Sequence, residues 1–597
     1  MCGIFGCVGK IDKLKAYDCI NQIKYRGPDS LVVEELEGIT LAHSRLSILD
    51  ISDTANQPMA DPSGRYWIVY NGEVYNFLEL RKELEELGWH FRTNSDTEVI
   101  LYSYIEWGEK FQYKCNGMWG IAIWDNVQKE LFLSRDRFGV KPLYYYEQDG
   151  NFYFASEMKA FFPIMKNRKI NYSIFESKNY FSYESTTDCT IRGIKKIKAG
   201  HYGYFKIKHL NICKWWDTLD NLVKVPLKYE DQVEWMREIF LDACKIRMRS
   251  DVPIGTSLSG GLDSSTVIGA MKHIVDTNRM EINRSWCRAF VASMPGTCID
   301  ETQYAEIAAN YVGIEIEKVM VTADITPEKL FEYLYICEEP FITSPIPFMQ
   351  TYNKIAESGI KVTIDGHGAD ELFGGYSFDI YYAALESGCN LKELKDIWET
   401  YNHMSLPESI ISYDDFVFKT KNLNVNDNIQ LNSEIDFFGP FNQNLYVQSH
   451  KNVLPTLLRC YDRYSMGNGV EIRMPFMDYR IVSYALSIPW KSKINGGYSK
   501  KIIRDMAVPF MAKEIVYRKA KIGFNSPMTE WLQGNMKEFI FDIIHSKEFY
   551  ECELFLNPLN VTIKVNEFYK NQKETFDPGQ EIWQLLIPFL WKKAMQL

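Results

Sequence analysis

The stretch SLSGGLDSS, residues 257–265, constrains the fold of this chain most strongly, because it joins an apolar strand to a helix through two glycines. The preceding VPIGTS predicts a buried strand, and the following SSTVIGAMKHIV predicts a helix. The alternation returns in SWCRAFVASM, a strand, and in GIKVTIDGHGADELF, a strand followed by a loop and a helix. Alternating strands and helices predict an α/β fold with a parallel sheet, and periodicity predicts a mostly helical part from about residue 380 onward.

The glycine loop has the composition of a phosphate-binding site. Gly260 and Gly261 have no Cβ, so the backbone can approach a bulky anion, and the helix start at Ser264 and Ser265 offers free N–H groups. Asp263 is a candidate ligand for Mg²⁺ bound to those phosphates. The loop contains no lysine, which distinguishes it from loops of enzymes that cleave the γ-phosphate and favours pyrophosphate release with transfer of AMP. The alternative is an ordinary glycine turn.

A second loop, DGHGADELFGGY at residues 365–376, also follows a strand and opens a helix. Asp370 and Glu371 bring carboxylates to the same edge of the predicted sheet. Asp370 is the natural second Mg²⁺ ligand beside Asp263. The alternative is a solvated helix start, which suits Glu371 better than Asp370.

The first part of the chain is dense in short strands instead. Runs such as YWIVYNGEVYN, MWGIAIWD and NFYFASE are rich in aromatic and β-branched residues. Two helices interrupt them, NFLELRKELEELG and SDTEVILYSYIEWG. In the first, Asn76 is the predicted N-cap, and Phe77, Leu80, Leu84 and Leu87 are predicted to share one buried face.

These two patterns of predicted strands and helices divide the chain into domains. With 597 residues it is too long for one core. We predict an α+β domain of layered antiparallel sheets and helices over residues 1–205, a linker over 206–228, and an α/β domain with a helical C-terminal part over 229–597.

Cys2, directly after the initiator methionine, raises a separate question. Removal of Met1 would leave a thiol beside a free α-amine, which is a nucleophile with its own base. The alternatives are a buried small hydrophobic residue and a lipid anchor.

Composition excludes several classes of protein. The chain has 67 basic and 78 acidic residues, for a net charge of −11 spread along its length, which argues against nucleic acid or a membrane surface as main partner. We find no signal peptide, and no apolar run reaches the roughly 18 residues of a membrane-spanning helix. The thirteen cysteines form no C-x-x-C pair. Reduced thiols in a cytoplasmic protein are therefore expected.

Several motifs resemble a known family. MCGIFG, RGPD at 26–29, SRLSILD at 44–50, NGEVYN at 71–76 and SDTEVI at 95–100 resemble class II glutamine amidotransferases, whose domain is Ntn-hydrolase-like. Together with SGGLDSS, a PP-loop, the chain resembles the glutamine-dependent asparagine synthetases over nearly its whole length. PGTCIDET, DRYSMGNGVEIRMPFMD and KAKIGFNSP also resemble segments of that family.

The resemblance implies roles in the first domain. Cys2 attacks the glutamine amide with its α-amine as base, while the Asn71 side chain and the Gly72 N–H form the oxyanion hole. The glutamine-binding residues that the same resemblance implies are Arg45, Asn71, Glu73 and Asp96. Arg45 is expected to bind the α-carboxylate, and Glu73 and Asp96 the α-amino end.

In the second domain the resemblance implies ATP, Mg²⁺ and an acyl-adenylate, which ammonia attacks after passing through an internal tunnel. Lys521 is expected to stabilise charge on the phosphates, Asp263 and Asp370 to bind the metal, and a homodimer is implied. The implied ATP-binding residues are Leu258, Ser259, Gly260, Gly261, Asp263, Ser264, Ser265, Ala292, Asp365 and Gly366.

The sequence departs from the family on the synthetase side. Asp365 replaces a serine, His367 replaces a glutamate implicated in amine attack, and Arg459 stands where lysine is expected. A neutral imidazole can still accept a proton from ammonia. We expect these three residues to lie near the carboxylate that accepts the nitrogen. Glutamine and a small carboxylate are the expected substrates, with aspartate as the default and a uronic acid sugar or a secondary metabolite as the alternative.

A non-catalytic homologue that binds ATP or glutamine to regulate or scaffold is a hypothesis of another class. Intact Cys2, Arg45, Asn71, Asp96, Asp263 and Asp370 argue against it.

Overall fold

The computed structural model describes residues 2–176, 183–278, 287–297, 299–388, 390–405, 409–423, 433–520, 523, 525–555, 557–570 and 577–597. Two antiparallel sheets occupy the first part of the chain, and a parallel sheet with helices occupies the rest. The predicted fold classes are confirmed.

The first antiparallel sheet has the order β10-β8-β9-β1-β3-β2 and the second the order β12-β11-β7-β6-β5-β4. Their strands are β1 Cys2–Val8, β2 Ser30–Leu36, β3 Ile39–Arg45, β4 Met59–Ala60, β5 Tyr66–Val74, β6 Gly117–Asp125, β7 Glu130–Arg135, β8 Tyr144–Gln148, β9 Asn151–Ala155, β10 Lys195–Lys196, β11 His201–Lys206 and β12 His209–Lys214.

The two sheets and the helices on their outer faces form four layers, because alternate side chains of a strand point to opposite faces of its sheet. Ile4 of β1 points into a core between the two sheets, whereas its neighbour Phe5 points to the opposite face. That face packs on Ala16 and Ile20 of the first helix. The outer face of the second sheet packs on the next two long helices. The helices of this part are α1 Lys13–Asn21, α2 Phe77–Glu86, α3 Asp96–Trp107, α4 Phe111–Lys114 and α5 Tyr172–Glu176.

Two details of α2 differ from the prediction. Asn76 precedes the helix but does not cap it, because its side-chain amide donates to the Lys114 carbonyl and its oxygen accepts from the Asn116 N–H. Leu87 lies just past the end of α2 and is 55% exposed, while Phe77, Leu80 and Leu84 are buried. Ser95 caps α3 by accepting a hydrogen bond from the Glu98 N–H.

The parallel sheet has the order β15-β14-β13-β16-β17. Its strands are β13 Ile254–Ser257, β14 Cys287–Ser293, β15 Ile316–Met320, β16 Val362–Ile364 and β17 Glu471–Arg473. Both predicted loops leave neighbouring strands of this sheet, because β13 pairs directly with β16. Their side chains therefore meet at the carboxyl edge of the sheet, where α/β folds bind ligands.

The remainder is mostly helical, as the periodicity predicts. The helices are α6 Tyr229–Arg247, α7 Leu262–Asn278, α8 Thr302–Val312, α9 Pro327–Cys337, α10 Ile346–Glu357, α11 Ala369–Phe373, α12 Asp379–Glu386, α13 Leu391–Met404, α14 Tyr413–Lys421, α15 Pro440–His450, α16 Val453–Met466, α17 Tyr479–Ser487, α18 Lys501–Ala507, α19 Lys513–Val516, α20 Met528–Gln533, α21 Lys537–Ile544, α22 Lys547–Tyr550, α23 Pro558–Lys570 and α24 Asp577–Ala594. None of the described helices combines the length and apolarity that a bilayer crossing requires.

The connection between the two parts is shorter than the predicted linker of 206–228. Residues 209–214 form β12, which pairs with β11 along its whole length and completes the second sheet. An extended stretch follows, and α6 begins at Tyr229.

A buried network of charges joins the two parts. The Arg26 guanidinium donates to the Cys2 carbonyl at 3.1 Å, to Glu157 at 2.6 Å and to both oxygens of Asp462 in α16 at 2.8 and 3.1 Å. Lys141 also donates to Asp462 at 2.9 Å. These cations hold the pKa of Asp462 well below its usual range. Asp462 is thus a buried anion that belongs to one part and is bound mainly by the other.

We expect Asp462→Asn to destabilise the protein by about 3–5 kcal/mol, because it leaves buried cations without their carboxylate. The shift in the midpoint of urea unfolding measures this effect. The matched control is Glu548→Gln, which breaks an exposed pair with Lys593 at 2.9 Å and is expected to cost roughly 0–1 kcal/mol. Equal shifts for the two variants would contradict the expected cost of leaving these buried cations without their carboxylate.

Candidate active sites

The first site surrounds Cys2, which begins β1 and is buried. Burial raises the pKa of the Cys2 thiol, and a hydrogen bond from the Leu46 backbone N–H and the charge of Arg45 lower it in part. Glu471 of the second part also acts on this thiol and raises its pKa. The electrostatics of Cys2 therefore depend on both parts of the chain.

Asn71 lies beside Cys2 in β5. The Cys2 backbone nitrogen donates to its Oδ1 at 3.2 Å, which leaves the buried Nδ2 without a hydrogen-bond partner among the described residues. A buried amide without a partner is costly unless something else accepts from it. Gly72 follows, and a Cβ there would lie 2.1 Å from the Met118 carbonyl oxygen, so close strand packing requires the glycine. This arrangement can donate hydrogen bonds to an anion that forms next to the thiol.

Arg45 lies opposite Cys2 in the register of β3 with β1. Its guanidinium donates to Ser52 O at 2.7 Å, to Asn56 Oδ1 at 2.8 Å and to the Asp50 carbonyl. The loop after β3 is thus wrapped around Arg45. A carboxylate ligand of Arg45 would replace some of these bonds.

Two buried carboxylates complete the first site. Asp96 accepts from the Tyr70 hydroxyl at 2.9 Å and from the Val74 N–H at 3.0 Å, and burial raises its pKa to about 6. Glu73 lies 3.3 Å from Arg473, and its other oxygen has no hydrogen-bond partner among the described residues. Burial raises the pKa of Glu73 as well. Both carboxylates suit an ammonium group that would compensate their burial.

The second site is a cavity of about 670 Å³ at the carboxyl edge of the parallel sheet. Both predicted loops line it, together with residues near 341–352, 452–461 and 499–525. Of the predicted ATP-binding residues, those that line the cavity are Leu258, Ser259, Gly261, Asp263, Ser264, Ala292 and Gly366.

The two loops pack against each other closely. A Cβ on Gly366, in the second loop, would lie 2.6 Å from the Asp263 carbonyl carbon and the Ser264 nitrogen, in the first. Gly260 packs against α8 instead: it has φ +76°, and a Cβ there would lie 2.4 Å from the Ala305 nitrogen. Asp365 is buried beneath the cavity, where it accepts from Ser257 N and from the hydroxyls of Tyr352 and Thr363. Burial raises the pKa of Asp365 to about 6.

Lys500 is a site residue that the sequence reasoning missed. Its ammonium lies 2.6 Å from a carboxylate oxygen of Asp263 and 2.6 Å from one of Asp370, the two predicted metal ligands. It has φ +51° directly before α18. The signal in the sequence was only the run GYSKK, which predicts a turn and a helix start. Lys521, the lysine predicted to stabilise charge on the phosphates, lies outside the described residues.

His367 lines the same cavity. Its ring stacks on Tyr461, with centroids 3.7 Å apart, and its Nε2 is 3.9 Å from Asp365 Oδ2. Burial lowers the pKa of His367 to about 4, so the imidazole is neutral near pH 7. Tyr461 is a second residue that the sequence did not single out.

Arg459 does not lie near these groups, so the expectation that all departures cluster near the acceptor is wrong for this residue. Arg459 donates to Glu184 at 2.6 Å and lies 3.4 Å from Glu339, inside the network that joins the two parts. Two carboxylates on different sides of one side chain favour the planar, forked guanidinium.

Comparisons of the sequence with known proteins identify a family for each part of the chain. Residues 1–216 match a glutamine amidotransferase domain, and residues 236–595 match the asparagine synthase family. The chain belongs to the asparagine synthase family. It is therefore a glutamine-hydrolysing, ATP-dependent amide ligase.

Curated relatives cover most of the chain. It is 28% identical to the glutamine-hydrolysing asparagine synthetase 1 of Bacillus subtilis, over 99% of this chain and 96% of the relative. Its identity to asparagine synthetase 3 of the same organism is 30%, over 87% of this chain and 86% of the relative. A putative asparagine synthetase 2 of Methanocaldococcus jannaschii is 34% identical, over 63% of this chain and 76% of the relative.

We expect Gly366→Ala to weaken ATP binding strongly, because the new Cβ would separate the two loops that line the cavity. Misplacement of this kind can cost about 10²-fold in a preorganised site. Isothermal titration calorimetry with ATP measures the effect, and glutamine hydrolysis by the same variant, which takes place in the other part, is the internal control. Unchanged ATP affinity would contradict the close packing of the loops.

Proposed function

We propose that this ligase transfers the amide nitrogen of glutamine to a carboxylate that ATP has activated as an acyl-adenylate, with release of AMP and pyrophosphate. The observation that carries the proposal is a pair of buried polar atoms that lack hydrogen-bond partners among the described residues: Asn71 Nδ2 beside Cys2, and Asp263 Oδ1 beside the glycine loop. Asn71 Nδ2 can donate to an oxyanion on the substrate, and Asp263 Oδ1 can bind a cation such as Mg²⁺.

In the first reaction Cys2 is the nucleophile. After removal of Met1, its α-amine takes the thiol proton, the sulfur bonds to the amide carbon of glutamine, and Asn71 Nδ2 and the Gly72 N–H donate to the oxyanion. Collapse of the adduct releases ammonia and leaves a thioester, which water hydrolyses to glutamate. Arg45 is proposed for the α-carboxylate of glutamine, and Asp96 with Glu73 for its ammonium.

In the second reaction the acceptor carboxylate attacks the α-phosphate of ATP and pyrophosphate leaves. Backbone N–H groups of the glycine loop and the ammonium of Lys500 are proposed to bind the phosphates, and Lys521 is proposed to assist them. Asp263 and Asp370 would hold Mg²⁺, since this ion is bound by one or two carboxylates together with substrate phosphates. The bound ion would neutralise charge on the phosphates.

Ammonia then displaces AMP from the adenylate and forms the amide. The attacking nitrogen must lose a proton before the amide forms, and a neutral imidazole is a possible acceptor for it. His367 is proposed for this step, because its neutral ring lines the cavity and its Nε2 has no hydrogen-bond partner among the described residues. The relatives' names point to aspartate as acceptor. A homodimer, which the resemblance implies, stays a prediction.

We expect Cys2→Ala and Asp263→Asn to have reciprocal effects. Cys2→Ala should abolish glutamate formation from glutamine, whereas ammonium should still support ATP-dependent AMP release in the presence of acceptor. Asp263→Asn should abolish AMP and pyrophosphate release and retain basal glutamine hydrolysis. Assays of glutamate and pyrophosphate measure both reactions. Continued glutamine hydrolysis by Cys2→Ala, or loss of both reactions in either variant, would contradict the division of roles.

We expect kcat/KM for glutamine to fall as the pH drops below about 6. The raised pKa of Asp96 means that this carboxyl becomes protonated there and loses the charge that binds the substrate ammonium. Initial rates of glutamate formation between pH 5 and 8 give the profile. Asp96→Asn should have a higher KM throughout and lack this inflection. An acid limb that is unchanged in the variant would assign it to another group.

A further inference from the structure

Arg518 lines the large cavity, and the reaction described above gives it no role. Its side chain is only 8% exposed. The central carbon of its guanidinium lies over the ring of Tyr304, 3.6 Å from the ring centroid. Because a planar guanidinium stacks on the face of an aromatic ring, this contact holds the plane of the group in one orientation.

One end of the guanidinium is occupied by protein groups. Nη1 donates to the Gly260 carbonyl at 3.4 Å and lies 2.7 Å from a carboxylate oxygen of Glu301. The backbone of Arg518 is held as well, because its carbonyl accepts from Arg504 Nη1 at 2.8 Å. The position of this side chain is therefore determined by several contacts, as a preorganised binding group requires.

The opposite edge of the guanidinium is different. Nε and Nη2 are buried, and neither has a hydrogen-bond partner among the described residues. The N–H bonds of these two nitrogens point in the same direction, and this edge of an arginine binds two oxygens of one phosphate or carboxylate. Since buried charged donors without acceptors are costly, the edge is suited to an oxyanion ligand.

The position of Arg518 favours a phosphate over a carboxylate. Its Nη1 contacts the carbonyl of Gly260, which belongs to the glycine loop. Tyr304 packs against the same glycine, since a Cβ there would lie 2.8 Å from the Tyr304 Cβ. Arg518 and the ring beneath it thus lie directly on the loop that is proposed to bind the phosphates of ATP. A guanidinium at this place adds a charge to the neutral N–H groups of the loop.

Other charges of the cavity lining also favour a highly charged ligand. Lys500 lies 2.6 Å from both Asp263 and Asp370, the carboxylates proposed to hold Mg²⁺. Arg504 donates to three backbone carbonyls, and none of its described hydrogen bonds goes to a carboxylate. With the metal ion bound, positive charges here would exceed the negative charges of the protein. That balance suits the several charges of a polyphosphate better than the single charge of an acceptor carboxylate.

We propose that Arg518 binds the pyrophosphate end of ATP, with Nε and Nη2 donating to two oxygens of one phosphate. The inference rests on the proposed function, because it adds a residue to the same phosphate site. When the acceptor carboxylate attacks the α-phosphorus, the bond from that phosphorus to the bridging oxygen breaks and its electron pair goes to pyrophosphate. The leaving group gains negative charge, so a fixed two-pronged donor binds it more tightly than it binds ATP and favours the step.

Calorimetric titration of the full-length protein with Mg²⁺ present tests this role without turnover. The ligands are inorganic pyrophosphate, AMP and α,β-methylene-ATP, in which the bond that breaks in the reaction is replaced. Arg518→Gln should weaken the binding of pyrophosphate and of the analogue by about 10- to 150-fold, the range for hydrogen bonds to charged groups. Its affinity for AMP, which lacks the pyrophosphate end, should stay that of the wild type and show that the cavity is folded. Unchanged pyrophosphate affinity, or an equal loss for all three ligands, would overturn the inference.

Two further variants separate the shape of the guanidinium from its charge. Arg518→Lys retains the charge without the two parallel donors, so it should bind pyrophosphate more weakly than the wild type. The matched control is Arg65→Gln, which removes an arginine that lies over the Tyr66 ring at 4.7 Å and pairs with Asp125 at 2.7 Å, outside the cavity lining. This control should bind pyrophosphate as the wild type does. Wild-type affinity in Arg518→Lys, or an equal loss in the control, would overturn the assignment of the paired donors.

Assays of AMP release separate this inference from its alternative and from the proposed function. A raised KM for the acceptor in Arg518→Gln, with pyrophosphate affinity unchanged, would assign Arg518 to the acceptor carboxylate and overturn the inference. If pyrophosphate binding depends on Arg518 but no carboxylic acid supports AMP release with glutamine and ATP, the proposed function fails and the role of Arg518 stands. If an acid supports AMP release and Arg518→Gln keeps its pyrophosphate affinity, the proposed function stands and the inference fails.

Discussion

The contact between Arg26 and Asp462 positions both halves of this enzyme. Arg26 binds the carbonyl of Cys2 with one nitrogen and the carboxylate of Asp462 with two others. Asp462 lies in α16, and its neighbour Tyr461 stacks on His367 in the cavity. A single arginine and a single helix therefore connect the backbone of the first strand to the wall of the second site. A shift of α16 would move groups at both ends of this connection.

A second connection runs through β17. Arg473 pairs with Glu73 of the first site, and its carbonyl accepts from the N–H of Asp365, which begins the loop that carries His367. Buried charges of this kind gain little net stability, because desolvation offsets their attraction. Their effect is to define one arrangement, since any other relative placement of the two parts would leave charges buried without partners. A fixed arrangement of the two parts suits the proposed transfer of ammonia from one site to the other.

Features of the fold that depend on neighbouring residues could be predicted from the sequence. Strand alternation, glycine loops and helix starts depend on neighbouring residues, so both fold classes and both loops could be read from motifs. Features that depend on distant contacts could not. Asn76 fails to cap α2 because Lys114 and Asn116 bind its side chain, and Lys500 reaches Asp263 across 237 positions. Arg459 was recognised as a departure, but its partners Glu184 and Glu339 come from two other segments and became known only from the structure.

The distribution of charge explains why the acceptor is the least predictable part. Glutamine brings an ammonium and a carboxylate, and ATP brings phosphates, so their sites require buried ions, which leave clear motifs in a sequence. The rings that line the cavity, by contrast, come from three separate segments: Phe348 from one, His367, Tyr376 and Phe378 from a second, and Tyr461 from a third. Rings at such positions look like ordinary core residues until the fold brings them to one cavity. The sites proposed for glutamine and ATP are thus recognisable from charged residues in the sequence, whereas the surroundings of the acceptor are recognisable only from the fold.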